Sequence, residues 1–138
     1  MGQKEGYDML GTLPLMAIAI IAYNIIVYLT GLTMDSQITT ITLISGAMWT
    51  ITVGDLLLFL GLMLLFLELI NSTKTGASTI VNHALSMLVL LIALVQFIVL
   101  PQFGTSTFFM LVLLALFDVV AGFTVTITAA RRDFTVGE

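Results

Sequence analysis

The chain has 138 residues, of which 59% are hydrophobic and 9% charged, with no cysteine and a formal charge of −4. Soluble domains carry about 25% charged residues, so this composition excludes a water-soluble globular fold. The missing cysteine excludes disulfides, thiolate metal sites and c-type haem attachment, and four basic residues against eight acidic ones leave no basic face for nucleic acid.

Residues 1–8 are polar and mixed in charge. The apolar run behind them is too long for a signal-peptide core and lacks a small-residue cleavage site, so the first helix is expected to be retained. Four apolar segments follow, at about 9–32, 43–70, 79–100 and 107–130, each near or above the roughly 20 residues that span a bilayer. The pattern predicts an all-α fold, a polytopic membrane protein whose single domain, 1–138, is a bundle of four transmembrane helices. A barrel is excluded, because its strands would alternate in segments of about ten residues.

In the first segment Pro14 falls in the opening turns, where its missing N–H costs little. The connection at 31–42 is the longest and is rich in threonine, with Ile38 and Ile41 spaced to rest on the membrane surface. Either a short interfacial helix or an irregular lid fits it. The second segment carries Asp55 and, near its end, Glu68; the third opens with His83 and is closed by Pro101, a common position for proline just past a helix. The fourth carries Asp118.

Lys4, Lys74, Arg131 and Arg132 all fall on one side of a four-span path. The positive-inside rule makes that side cytoplasmic, with both termini inside, and puts Trp49 near the outer interface.

Small and polar residues mark the inward faces of membrane helices, because association there rests on close packing and interhelical hydrogen bonds. Thr79, Asn82, Ser86, Ala93 and Gln96 share one face of the third helix, and Ala115, Asp118, Gly122, Val125 and Ala129 share one face of the fourth. The second offers Gly46, Thr50, Gly54 and Gly61 beside Asp55, and the first offers Ala17, Asn24 and Gly31. These stripes converge on one interior, where Asp55, Asp118, Asn24 and Gln96 are the candidates for ion, proton or helix-coupling roles. A charged residue at bilayer depth costs roughly 2.5–3.5 kcal/mol, which makes an intramembrane carboxyl a functional candidate by default. The competing reading is that each aspartate ties helices together or meets a basic residue of a partner protein. Glu68 and His83, joined by a short turn, form a candidate pair on the cytoplasmic side.

The remaining chemistry is sparse. With one histidine, a bis-histidine haem needs a second subunit. The eight methionines are spread over several helices as apolar filler and form no copper array. No metal site and no cofactor are expected. There is no Ser-His-Asp arrangement, P-loop or dinucleotide fingerprint, so no catalytic residue is assigned and no enzyme is expected.

The runs VGDLLLFLGLMLLFLELI (53–70) and FDVVAGFTVTITAARRDF (117–134) resemble short four-helix bacterial inner-membrane proteins. That resemblance implies a bacterial inner (plasma) membrane location and no activity. The chain departs from small multidrug transporters, which centre on a glutamate in the first helix, where this chain has only Asn24. It also lacks the arginine and paired-glycine pattern of fluoride channels. The expectation is an accessory or assembly subunit of a membrane complex. The alternative is a small oligomeric transporter or channel for protons, cations or a cationic solute, with a lipid- or quinone-binding bundle as the weaker third. Membrane lipids, and either further copies of the chain or a larger complex, are the expected partners.

Overall fold

The computed structural model describes residues 13–71 and 77–136, with the side chains of 77–79, 129 and 133–136 outside the description. The chain is mostly helical. Helix α1 (Met16–Ile25) starts after Pro14 with a tight first turn, Ala17 N donating to Pro14 O at 3.1 Å and Ile18 N to Leu15 O at 3.0 Å. It widens into a π-helical turn, Ile26–Thr30, and stops at Gly31, whose φ of +70° is the left-handed cap that glycine adopts without strain. Measured to Thr30, this helix is shorter than a bilayer span.

The connection expected as a short interfacial helix or an irregular lid and the segment expected to open the second helix together form a β-hairpin instead. Strands β1 (Gln37–Thr42) and β2 (Met48–Thr52) pair antiparallel, with Thr40 opposite Thr50, Ile41 opposite Trp49 and Thr42 opposite Met48. Ile and Thr dominate both strands, and such β-branched side chains pack well on a pleated surface. Gly46 at φ +85° turns the chain, and the Thr40 and Thr50 hydroxyls meet at 3.1 Å across the ribbon. The all-α expectation is therefore corrected to a mostly helical fold with a two-stranded ribbon. The second helix loses its first ten residues to that ribbon.

Helix α2 (Val53–Asn71) starts directly after β2 with its free N–H groups satisfied. Val53 N donates to Ser36 O and Gly54 N to Met34 O, both at 2.9 Å. Thr52 and Asp55 form a reciprocal capping box, Thr52 N to Asp55 Oδ2 at 3.0 Å and Asp55 N to Thr52 Oγ1 at 3.2 Å. Helix α3 (Ala77–Val99) returns, a 3-10 turn at Pro101–Phe103 reverses the chain, and α4 (Ser106–Val136) completes the bundle. Helices α2, α3 and α4 are each long and apolar enough to cross a membrane. Their outer surfaces expose Leu, Ile, Val, Met and Phe, the composition that lipid or a partner helix covers.

The core divides by depth. At the hairpin end Tyr23, Phe103 and Phe108 pack ring against ring, with centroids 4.6 to 5.1 Å apart. The Tyr23 hydroxyl donates to Gln102 O at 3.0 Å and meets Thr105 Oγ1 at 2.8 Å. Thr105 in turn caps α4 by accepting Phe108 N–H at 3.1 Å. Further down, α2 and α4 run side by side in the same direction at glycine-level separation. A Cβ on Gly54 would sit 2.6 Å from Thr107 Oγ1 and 3.1 Å from Met34 O, and one on Gly61 would sit 2.9 Å from Leu111 Cδ2.

Gly54→Ala is expected to destabilise the fold by about 1–3 kcal/mol through overpacking, because one of the crowding atoms is backbone. Gly104→Ala, whose Cβ would meet Pro101 O at an ordinary 3.5 Å, is expected to leave stability unchanged. Thermal unfolding of both variants in detergent checks the contrast; equal Tm values would show that the Met34 loop yields freely.

Candidate functional site

Helical spacing brings three faces together. Gly54, Gly61 and Glu68 follow one another at intervals of seven, and Thr107, Leu111, Leu114 and Asp118 at intervals of three or four. Both spacings keep residues on one stripe of a helix. The two stripes face each other, Gly54 against Thr107 and Gly61 against Leu111 and Leu114. The next step along the same seam brings Glu68 level with Asp118, close enough for the two carboxyls to act on each other electrostatically.

Both are buried, Glu68 at 4% and Asp118 at 3% exposure, as are His83 and Ser86 beside them. At 1.5 Å per residue, Asp118 lies about 18 Å along α4 from Ser106, and Glu68 about 22 Å along α2 from Val53. Both depths fall inside a hydrocarbon core of roughly 30 Å. The described basic residues are no help to them: Arg131 and Arg132 stand about 20 Å further along α4.

The carboxyls are held by neutral donors. Leu15 N, at the start of α1, donates to Glu68 Oε2 at 3.1 Å. A carboxylate at a helix N-terminus takes up free N–H groups and opposes the positive end of the helix dipole. From α3, Asn82 hydrogen-bonds the Glu68 carboxyl and Ser86 the Asp118 carboxyl. The Ser86 hydroxyl also donates to Asn82 O at 3.0 Å. Glu68 Oε1 is buried with no hydrogen-bond partner among the described residues. One oxygen of the pair is therefore open to a proton or a cation.

The other candidates separate from this pair. Asp55 is half-buried in the first turn of α2 and spends its carboxylate on the capping box. It lies about 20 Å from Glu68 along the helix, so the expected Asp55–Asp118 core does not form. The reason is the ribbon: with Met48–Thr52 extended, Asp55 moves from mid-helix to a helix start. Asn24 and Gln96 form their own amide pair between α1 and α3, Gln96 Nε2 to Asn24 Oδ1 at 2.9 Å and Asn24 Nδ2 to Gln96 Oε1 at 3.4 Å. Asn24 also donates to Ile20 O at 2.8 Å.

His83 does not bond Glu68. Its Nε2 meets Thr126 Oγ1 at 2.7 Å, and its ring lies on Gly122 and Phe123, with a ring-centroid separation of 4.9 Å from the latter. Asn82 takes the contact with Glu68 in its place, since consecutive helix residues point about 100° apart. Sequence reasoning missed Tyr23, Thr126 and the Leu15 N–H. Thr126 had a signal, since it continues the Asp118, Gly122 line at steps of four; a backbone donor at Leu15 had none.

Among the described residues, no group of three or more His, Cys, Asp or Glu is arranged to hold a metal ion. No protein-family profile, curated protein or solved structure matches the chain.

Glu68→Leu is expected to cost about 1–3 kcal/mol, since it strands the part-buried Leu15 N–H. Glu68→Gln keeps a carbonyl acceptor in the same place and is expected to be at least as stable as the parent, because it removes a buried charge. Denaturation in mixed micelles separates the two; equal stability of both variants would remove the Leu15 bond from the account of the fold.

Proposed function

We propose that this chain is a small, non-enzymatic integral membrane protein that takes up and releases a proton or small cation at the Glu68–Asp118 pair. The observation carrying this reading is two buried carboxyls at membrane depth, one oxygen of which has no partner among the described residues. A pair kept only to join helices gains little from ionisable groups. Well-packed apolar residues of similar volume are often as stable or more so, and a half-satisfied polar cluster is the costlier choice. Ionisable residues inside a membrane, facing the bundle interior, mark ion pathways and proton relays.

The reading favours the transport alternative, with the acid pair moved from Asp55–Asp118 to Glu68–Asp118. A chain of 138 residues builds a pathway most readily as a homo-oligomer or inside a larger complex. By the positive-inside rule the end carrying Arg131 and Arg132 is cytoplasmic. The bacterial inner membrane is the proposed location, on the resemblance of 53–70 and 117–134.

A second reading, an accessory subunit of a membrane complex, is supported by the hairpin. Residues 37–52 carry no charge, and their tip exposes Leu43, Ile44 and Met48, the last at 74%. An uncharged apolar ribbon beyond the helices is a surface that a partner can cover.

In proteoliposomes, Asp118→Asn and Glu68→Gln are each expected to reduce flux driven by a pH gradient to the level of empty vesicles. Asp55→Ala is expected to preserve flux while lowering stability by about 0.5–2 kcal/mol through loss of the cap. Undiminished flux in both acid variants would sink the transport reading. Extraction from native membranes in mild detergent addresses the second reading: a stoichiometric partner supports it, and a homogeneous homo-oligomer counts against it.

A further inference from the structure

The polar groups around the carboxyl pair are not distributed evenly along the bundle. Toward the arginine-bearing end of α4, the residues following Asp118 on its own face are Gly122 and Thr126, one and two turns on. The His83 ring fills the space that a side chain at position 122 would occupy. A Cβ there would sit 2.9 Å from His83 Cε1 and 3.2 Å from Nδ1. Nε2 of the same ring reaches Thr126. One turn back along α3, Ser86 touches Asp118. Polar atoms thus continue from the carboxyls for about 12 Å toward the arginine end.

In the other direction they stop. Ala115, Leu111, Phe108, Tyr23 and Phe103, all 1% exposed or less, fill the core between Asp118 and the hairpin end. The polar groups on that side, the Asn24–Gln96 pair and the Tyr23 hydroxyl, bond to one another or to the Gln102–Thr105 turn rather than to the carboxyls.

We propose that in this conformation Glu68 and Asp118 are open to the arginine-bearing side of the membrane and closed to the hairpin side, one state of an alternating-access cycle, and that His83 is the relay between them and the arginine-bearing side. This rests on the reading of the pair as a proton or cation site, which Glu68 Oε1, buried with no partner among the described residues, supports independently of the histidine. Among the described residues, the titratable groups facing the site are Glu68 from α2, His83 from α3 and Asp118 from α4; the start of α1 contributes the Leu15 N–H, and the phenol of Tyr23 on α1 lies away from the site at the Gln102–Thr105 turn. Histidine suits the role because a neutral imidazole accepts a proton on one nitrogen and releases one from the other. The proton entering through the Thr126-side nitrogen is matched by one leaving from the opposite nitrogen toward the carboxyls, with no net change in the ring. Gly122 is the positioning residue, since only a residue without Cβ lets the ring lie there.

The test uses the full chain in liposomes, sorted by orientation through trypsin cleavage at Arg131–Arg132. The infrared band of protonated carboxyls is followed after an external acid jump. The expected result is a fast rise only in vesicles with the arginine end outside. That rise is absent in the Glu68→Gln/Asp118→Asn double variant. It is slowed roughly 10-fold or more in His83→Gln, which keeps a donor for Thr126 but does not relay. Gly122→Ala, which displaces the ring without removing it, is expected to slow the rise as well. A fast rise from the hairpin side, or an unslowed rise in folded His83→Gln and Gly122→Ala, overturns the one-sided relay and leaves the carboxyl site standing. A folded parent protein with no carboxyl response from either side overturns both.

Discussion

The N–H of Leu15 ends on a carboxylate oxygen of Glu68, and through that bond the start of α1, the end of α2 and the buried acid pair become one unit. A helix N-terminus inside a bilayer leaves backbone donors with no water to satisfy them, a cost of several kcal/mol each. A carboxylate from a neighbouring helix removes part of that cost, and the helix end in turn favours negative charge on the carboxylate. The bond explains two otherwise separate facts. Glu68 tolerates burial with no basic partner among the described residues, and α1 begins at Met16, level with the carboxyls, rather than at the membrane face.

The same seam decides where Asp118 lies. Gly54 and Gly61 let α2 approach α4 until a Cβ would collide with Thr107 or Leu111. At that separation there is no room for the two helices to slide past each other, and the register places one acid opposite the other. Small residues have this role in membrane helices generally, since van der Waals packing replaces the hydrophobic effect between them. Polar chemistry in this bundle is thus a consequence of close packing: the glycines position the helices and the carboxyls follow.

The hairpin end is built on different physics. Aromatic packing of Tyr23, Phe103 and Phe108 closes the core, and Trp49 of β2 meets Phe59 of α2 edge to face at 6.5 Å. This ties the ribbon to the outer surface of the bundle. The result is a molecule with an apolar, aromatic closure at one end and a polar, histidine-bearing path at the other.

Much of this was legible in the residues alone. Low charge and long apolar runs are compositional, so the membrane-protein reading and the helical character of about 53–70, 79–99 and 107–130 followed without any tertiary information, while the extension of the last helix to Val136 did not. The inward face of α3 followed too, since Ser86, Ala93 and Gln96 recur at helical spacing, and Asp118 with Gly122 on α4 likewise. The Gly54, Gly61, Glu68 stripe was equally present in the spacing, although it reads as packing until its partner face is known. Tertiary structure decided the rest. Hydropathy does not distinguish an apolar strand from an apolar helix, so β2 was hidden inside the apparent second span and its partner β1 in the connection before it, and with them the demotion of Asp55 to a helix cap. The pairing of Glu68 with Asp118 joins side chains 50 residues apart, and the Leu15 donor is a backbone group that no residue type announces. Which polar group satisfies which depends on the distance between helices, and that distance is set by packing, which a single chain's periodicity does not encode.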